Sequence, residues 1–331
     1  MRFAREILPS VSRTFALSIR LLPGALGHAV MASYLLCRIA DTLEDEPVLP
    51  ADAKAAMLDE LLRCFDDEAA ADAFPERVMA ISGDAAHVRL ASRADLVFVV
   101  YRSLPVGTRK HVQRWVGEMI FGMRKFALRY PHGIRIRTLE EYREYCYYVA
   151  GTVGYLLTDL WHEHSPSVGE REYRALLEHC RAFAEALQTV NILKDVATDA
   201  ERENAIYVPE ELLLAHGSSH ATLLADEGVQ GTRAALATLV QLAREDLEGA
   251  RSYLLLVPRR AVAIRGFCLL PLLFAYATLR ELTREPGRMA RREVVKISRR
   301  EVRWLTAVGL LAVWSNRGVN WVVSRAGGSI N

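Results

Sequence analysis

Two acidic stretches carry the residue types best suited to chemistry. In the first, Tyr34, Arg38, Asp41 and Asp45 follow one another at steps of four, three and four, a spacing that puts all four side chains on one face of a helix. Asp41 and Asp45, one turn apart at the end of an apolar segment, repel each other unless a cation lies between them. A hard divalent ion resolves that conflict, because Mg²⁺ takes carboxylate oxygens together with the phosphate oxygens of a substrate. Taken alone, the same run also reads as a solvated helix end.

The second stretch changes the balance. Gln188, Asn191, Asp195 and Asp199 fall at i, i+3, i+7 and i+11, with Ile192 and Leu193 beside them. An amide and carboxylate stripe on an apolar helix costs several kcal/mol, on the order of 2–7 for each polar group buried without a partner, so it must meet metal, water or ligand. Two helices that each offer an aspartate pair can converge on one cluster of ions, and together they point to a metal–diphosphate site.

Three further features fit a diphosphate pocket, each with a plainer alternative. Ser12, Arg13 and Arg38 are anion donors, and Arg grips phosphate oxygens bidentately; singly, such arginines form surface ion pairs. Tyr145-Cys-Tyr-Tyr148-Val-Ala-Gly151-Thr-Val-Gly154 sets tyrosines ahead of small residues that permit close approach, or else simply packs the core. Val294-Val-Lys296-Ile-Ser-Arg299-Arg300 is a basic run that either reaches a phosphorylated cofactor or is a solvated loop. Other centres are poorly supported: His162 and His164 have no third zinc ligand in reach, and no Rossmann or P-loop glycine pattern occurs.

These residues need helices to position them. Ala, Leu, Arg and Glu recur with helical periodicity and β-branched runs are few, which predicts an all-α protein. Breaks are expected at Pro23-Gly24, 46–50, 73–83, 104–107, 130–133, 165–169, Val208-Pro209, 216–219, Val257-Pro258 and Pro286-Gly287. They divide the chain into roughly ten helices of one bundle, read as a single domain over residues 1–331. A formal charge of +2 and 51% hydrophobic residues exclude a disordered chain and give no reason to expect nucleic-acid binding. Five scattered cysteines fit a reducing compartment rather than a disulfide framework. The opening residues show no targeting pattern. The longest apolar run is taken as Trp304 to Trp314, too short to span a membrane and read as a buried helix.

The pattern resembles the squalene/phytoene synthase family of head-to-head isoprenyl transferases, from Ser12 through Arg300. Ser12-Arg13-Thr14-Phe15, Arg38-Ile-Ala-Asp41-Thr-Leu-Glu-Asp45, the Tyr145–Gly154 run, Asn191-Ile-Leu-Lys-Asp195 with Asp199, and Tyr207-Val-Pro209 carry the resemblance. Within the family the first acidic motif, the tyrosine run and Val295-Lys296-Ile297 are closer to squalene synthases than to phytoene synthases.

The resemblance implies a helical isoprenoid-synthase fold with a central cavity. It implies condensation of two farnesyl diphosphates through presqualene diphosphate to squalene, with Mg²⁺ and NADPH. Non-reductive relatives make dehydrosqualene, hydroxysqualene or presqualene diphosphate, and phytoene-type or other-acceptor transfer shares the same ionisation site. By resemblance Asp41, Asp45, Asn191, Asp195 and Asp199 match metal positions. Ser12, Arg13, Tyr34, Arg38, Lys194 and Arg202 match diphosphate positions; Tyr145, Arg38 and Phe267 match catalytic ones; Lys296 and Arg299 fall on the cofactor side. The chain departs from the squalene synthase pattern in four places. Thr198 stands where Glu is usual, Lys194 where Arg is frequent, Glu6 near a cofactor-side lysine, and one extra residue follows Asp199 before Pro209. A monomeric, cytoplasmic enzyme is expected, with no membrane anchor and with peripheral membrane contact left open. A catalytically silent prenyl-diphosphate binder is the reading from another class, and the intact aspartate pairs oppose it.

Overall fold

The computed structural model describes residues 1–284 and 295–328; the expected break at Pro286-Gly287 and Val294 of the basic run lie outside them. Among the described residues there are seventeen α-helices. They are α1 (Arg2–Val11), α2 (Arg13–Ile19), α3 (Gly24–Glu44), α4 (Ala51–Arg63), α5 (Glu68–Arg77), α6 (Ala85–Ala91), α7 (Ala94–Arg102), α8 (Val106–Arg129), α9 (Leu139–Cys146), α10 (Thr152–His164), α11 (Glu170–Leu177), α12 (Cys180–Thr198), α13 (Glu210–Leu214), α14 (Val229–Leu256), α15 (Val262–Arg284), α16 (Arg299–Ala312) and α17 (Asn316–Gly327). The only strand-like pairing among the described residues is an isolated parallel bridge between Arg135 and Ile206. The fold class is therefore all-α, as the periodicity predicts.

There are more helices than the roughly ten expected, because several breaks carry no proline–glycine signal. Ser12 ends α1 in extended conformation and starts α2, its Oγ accepting from the Phe15 amide at 3.2 Å. Asp67 similarly caps α5 through the Ala70 amide. Such side chains satisfy amide groups that the first helical turn leaves unpaired. Conversely, Pro75 sits inside α5, so that break begins only after Arg77.

The long helices form the centre. α12 packs along α14 and also touches α10 and α15, while α3 lies against α7 and α8. Leu35, Leu36, Ile39 and Leu43 of α3 are fully buried at helical spacing. Leu236, Leu239 and Leu247 of α14 and Leu269, Leu270, Leu272 and Leu273 of α15 extend the same core. Each such side chain contributes about 1.5–3 kcal/mol of burial. Gly154 brings α10 against α12: a Cβ there would stand 2.2 Å from the Cys180 carbonyl oxygen.

Two readings of apolar segments are corrected. The most apolar long helix is α15, 23 residues with mean hydropathy 1.8 over its best window, and 78% of that window is buried in the protein. The Trp304–Trp314 segment is not a buried helix, since only Leu305 and Gly309 of α16 are buried. Trp304, Leu311 and Trp314 face outward. The segment was misread because apolar content alone does not say which side of a helix the large residues occupy.

Candidate active site

The C-terminal end of a helix carries partial negative charge, so acidic side chains are ordinarily disfavoured there. Here two helices place carboxylates at that end. Asp41 and Glu44 occupy the last turn of α3 and Asp45 caps it. Asp195 lies in the last turn of α12, and Asp199 opens a π-helical turn, Asp199–Glu203, that continues it.

The two acidic ends act on one another. Burial holds the Asp45 carboxyl well above the usual range, and the charges of Glu203 and Asp41 push it further. Asp199 is pushed up to about 9 by burial, then by Glu203, Asp195 and Asp45. Burial, then Asp195 and Asp41, raises Glu203. Glu44 is buried beside Asp45 and Asp41 and is raised as well. Because these carboxyls are felt by one another across the two helix ends, Asp41, Asp45, Asp195, Asp199 and Glu203 lie near one space.

The offsetting cations are fewer than the acids. Arg38 Nη1 lies 3.3 Å from Asp41 Oδ2, Lys194 Nζ lies 3.0 Å from Asp195 Oδ2, and Lys54 Nζ donates to the Glu44 carbonyl at 2.8 Å. Tyr34 lies beneath Arg38, the guanidinium carbon 5.9 Å from the ring centre. The Tyr34 hydroxyl, Arg38 Nε and Glu44 Oε1 are buried without a protein hydrogen-bond partner. Buried polar atoms left this way cost about 1–3 kcal/mol each, so donors and acceptors wait here for a ligand. Among the described residues no three His, Cys, Asp or Glu side chains are already grouped closely enough to hold one ion. The carboxylates of the two helix ends raise one another instead, and a hard ion drawn to them would also take oxygens from a ligand.

Tyr145 lies beneath the acidic end of α3. Its hydroxyl donates toward Glu44 Oε2 at 3.4 Å and the Tyr207 hydroxyl at 3.2 Å, and the two tyrosine rings stack at 4.8 Å. Phe126 closes edge-on against Tyr145 at 5.1 Å. Burial, then Glu44 and Tyr207, drives the Tyr145 hydroxyl well above its ordinary value, so it stays protonated. Ile192, Val196 and Tyr207 line a small, tightly packed hollow together with Asp199.

The π turn that continues α12 holds more residues than an α turn, and it ends at Asn204 in the left-handed conformation, φ 53°. Asn204 Nδ2 donates to the His132 carbonyl at 2.8 Å, and Arg135 donates to both Asn204 oxygens at 2.6 Å. This lock directs Glu203 toward the acidic space, while Arg202 is exposed. Glu203, Lys54, Glu44 and Tyr207 are site residues to which the sequence reading gave no role. Steps of four from Asp195 through Asp199 to Glu203 were the available signal.

Other candidates stand apart or at the edge. Ser12 is engaged as the α2 cap, and Arg13 is exposed; α2 reaches the site through Phe15, whose ring lies 5.3 Å from that of Tyr34. Asn191 is exposed. Phe267 is buried in the core, edge-on to Trp161 at 5.3 Å. Lys296 and Arg299 are exposed before and at the start of α16, and among the described residues no hydrogen bond or ion pair joins them to the acidic site.

Two acidic helix ends of the bundle thus meet at one buried, charge-rich space. The family model for squalene/phytoene synthase matches residues 8–301, and the chain belongs to that family. Squalene synthase of Schizosaccharomyces pombe is 29% identical over 293 residues, covering 86% of this chain and 60% of its own length. Squalene synthase 1 of Arabidopsis thaliana is 27% identical, covering 84% of this chain and 64% of its own length. The chain thus spans about three fifths of these curated relatives. The fold is that of TcSQS in complex with a ligand, TM-score 0.84 at 24% identity, covering 98% of this chain and 89% of that one. A dehydrosqualene synthase in complex with ligand superposes with TM-score 0.64 at 23% identity, covering 93% and 94%.

Proposed function

We propose that this protein joins two farnesyl diphosphates head to head, through presqualene diphosphate, and reduces the product to squalene with NADPH. The observation that carries the reading is the pairing of two acidic helix C-termini, α3 and α12, around a space with too few protein cations to neutralise it. The orphaned Tyr34 hydroxyl and Arg38 Nε at its edge fit the oxygens of a diphosphate.

Asp41, Asp45, Asp195 and Asp199 would hold Mg²⁺, joined by Glu203 and, after a side-chain turn, by Asn191. When bound, the metal supplies charge neutralisation for a departing diphosphate. Arg38 and Tyr34, with Lys194, grip phosphate oxygens; Arg13, Arg202 and Ser12 lie at the outer edge of the same set. Arg38 opposes the negative charge that develops as the allylic C–O bond breaks, and it does so from a fixed position.

The carbocation left behind must be kept from water. Ile192, Val196 and the stacked rings of Tyr145 and Tyr207 supply an apolar and aromatic wall, and Phe267 with Trp161 lies deeper in the core. Ring faces stabilise positive charge while offering no nucleophile. The protonated Tyr145 hydroxyl is a poor base, so it orients a proton acceptor, with Glu44 and the departing diphosphate as the nearest candidates in kind. Lys296 and Arg299 would meet the cofactor phosphates.

Incubation of the purified protein with farnesyl diphosphate and Mg²⁺, with and without NADPH, followed by mass spectrometry, tests the reading. Squalene formed only with NADPH supports it. Dehydrosqualene, hydroxysqualene or presqualene diphosphate as the end product in both tubes moves the protein to a non-reductive branch. No consumption of substrate contradicts the proposal.

A further inference from the structure

Three of the five tryptophans lie on the α16–α17 pair and face outward: Trp304, Trp314 and Trp321 are 45%, 64% and 50% exposed, and Leu311 is 78% exposed. Arg300, Trp304, Ala307 and Leu311 form one exposed stripe at steps of four, three and four. The opposite side of α16 buries Leu305 and Gly309, and α17 buries Val319, Val322, Val323 and Ala326. Both helices pack on α15 and on each other, so their outer faces form one surface.

The charge on that surface has one sign. Residues 299–328 carry five arginines, Arg299, Arg300, Arg303, Arg317 and Arg325, against the single acid Glu301. Glu301 is itself tied to Arg280 at 2.6 Å. Arg325 sits over the Trp321 ring at 5.7 Å. At the turn between α16 and α17, the buried Arg265 donates to the carbonyls of Val313 and Val257 at 2.6 and 2.7 Å and to Asn316 Oδ1 at 3.0 Å. Two of its partners are the carbonyls at the C-terminal caps of α14 and α16, whose partial negative charge favours the guanidinium. This clamp sets Trp314 beside the α14–α15 turn, where Leu256, Arg259 and Arg260 are also exposed.

We infer that the α16–α17 face docks on an anionic lipid bilayer surface. Tryptophan has an apolar body and one polar N–H, and so prefers the boundary between headgroups and acyl chains. Arginines around it meet anionic headgroups, and basic faces with large apolar side chains bind in the plane of the interface. The charge argues against a second copy of the chain, because two such faces would bring like charges together. The inference rests on the surface alone and stands whether or not squalene is the product.

The test is co-sedimentation of the full chain, without substrate, on vesicles of phosphatidylcholine alone or with about one third phosphatidylglycerol. Tryptophan quenching by lipids brominated in the acyl chain is read in parallel. Wild type should partition at least about tenfold more strongly onto the anionic vesicles and show quenching, with both effects lost at high salt. Substitution of Leu311→Ser, Trp314→Ser and Trp321→Ser together should remove about tenfold or more of the partitioning. These positions are solvent-facing, and unchanged far-UV circular dichroism confirms the fold. Equal binding by the serine variant, absence of vesicle binding by wild type, or a dimer that the serine substitutions abolish in its place would each overturn the inference.

Discussion

The Tyr145 and Tyr207 rings stack at 4.8 Å with their hydroxyls 3.2 Å apart, and Glu44 Oε2 lies 3.4 Å from the Tyr145 oxygen. The three groups join the tyrosine run to the acidic end of α3, so Tyr145 is placed by its neighbours as well as by its own helix. Tyr145→Phe keeps the stack and removes the shared hydroxyl. Turnover should fall by about 10²-fold or more, the scale of the proton transfer that Tyr145 orients, while Tyr207→Phe costs less. Steady-state rates with circular dichroism check this, and a Tyr145→Phe enzyme within twofold of wild type would refute the assignment.

The π turn that carries Glu203 into the acidic space leaves Arg202 outside it. Glu203→Gln should therefore raise the Mg²⁺ concentration for half-maximal activity by about tenfold, the effect of losing a supporting oxygen ligand. Arg202→Ala should change KM for the diphosphate substrate with little effect on that metal requirement. A metal titration of both variants distinguishes them, and the reverse pattern would show that Arg202 faces the ions.

Stability without metal should depend on pH through Asp199. Its carboxyl is pushed up to about 9 in the folded chain, above its unfolded value of about 3.9. A raised folded pKa means that the native state holds the proton more tightly. The corresponding stability is fully present below pH ~4 and is lost as pH rises through about 9. Denaturant unfolding in chelator should thus show wild type losing stability between pH 5 and 9 relative to Asp199→Asn, with Mg²⁺ opposing the loss at the upper end. Parallel pH profiles for the two proteins would contradict the crowding of carboxylates.

Gly154 gives a purely structural prediction. An alanine Cβ at this position would approach the Cys180 carbonyl oxygen to 2.2 Å and the Cys180 carbonyl carbon to 2.8 Å. Backbone atoms cannot yield as a flexible side chain does, so α10 and α12 must separate. Gly154→Ala should destabilise the fold by about 1–3 kcal/mol, seen as a lowered Tm, and an unchanged Tm would show that the contact is looser.

Lys296 tests the reductive half of the proposal. Lys296→Ala should slow NADPH-supported squalene formation by about tenfold, as expected for one charge-assisted contact, and leave presqualene diphosphate formation within about twofold. Quantifying both products in the same reaction reads the ratio. Equal loss of the two would assign Lys296 to structure or to diphosphate binding.

The helical class and the two aspartate faces were legible because both rest on local periodicity. Steps of three and four survive in the folded chain wherever the helix is regular, as Arg38, Asp41 and Asp45 do on α3. What periodicity does not reveal is which helix ends meet. Lys54 joins the site from α4 and Tyr207 from the segment after the Asp199–Glu203 turn, and only the packing of these elements on α3 and α9 brings them there. The α16 segment failed for a related reason: apolar content is visible in the chain, but whether Trp304 and Leu311 face core or water depends on α15 being beneath the other side.

In the proposed reaction the acidic ends of α3 and α12 act together in ionising a prenyl diphosphate. Release of inorganic diphosphate from farnesyl diphosphate, followed across a Mg²⁺ titration for wild type, Asp41→Ala, Asp195→Ala and the double variant, tests it most directly. Wild type should release diphosphate in a Mg²⁺-dependent way. Each single variant should lose about 10²-fold or more with the helical signal retained, and the double variant little further, because groups acting as a unit are not additive. Near-normal release by either single variant, or release that is indifferent to Mg²⁺, would contradict it.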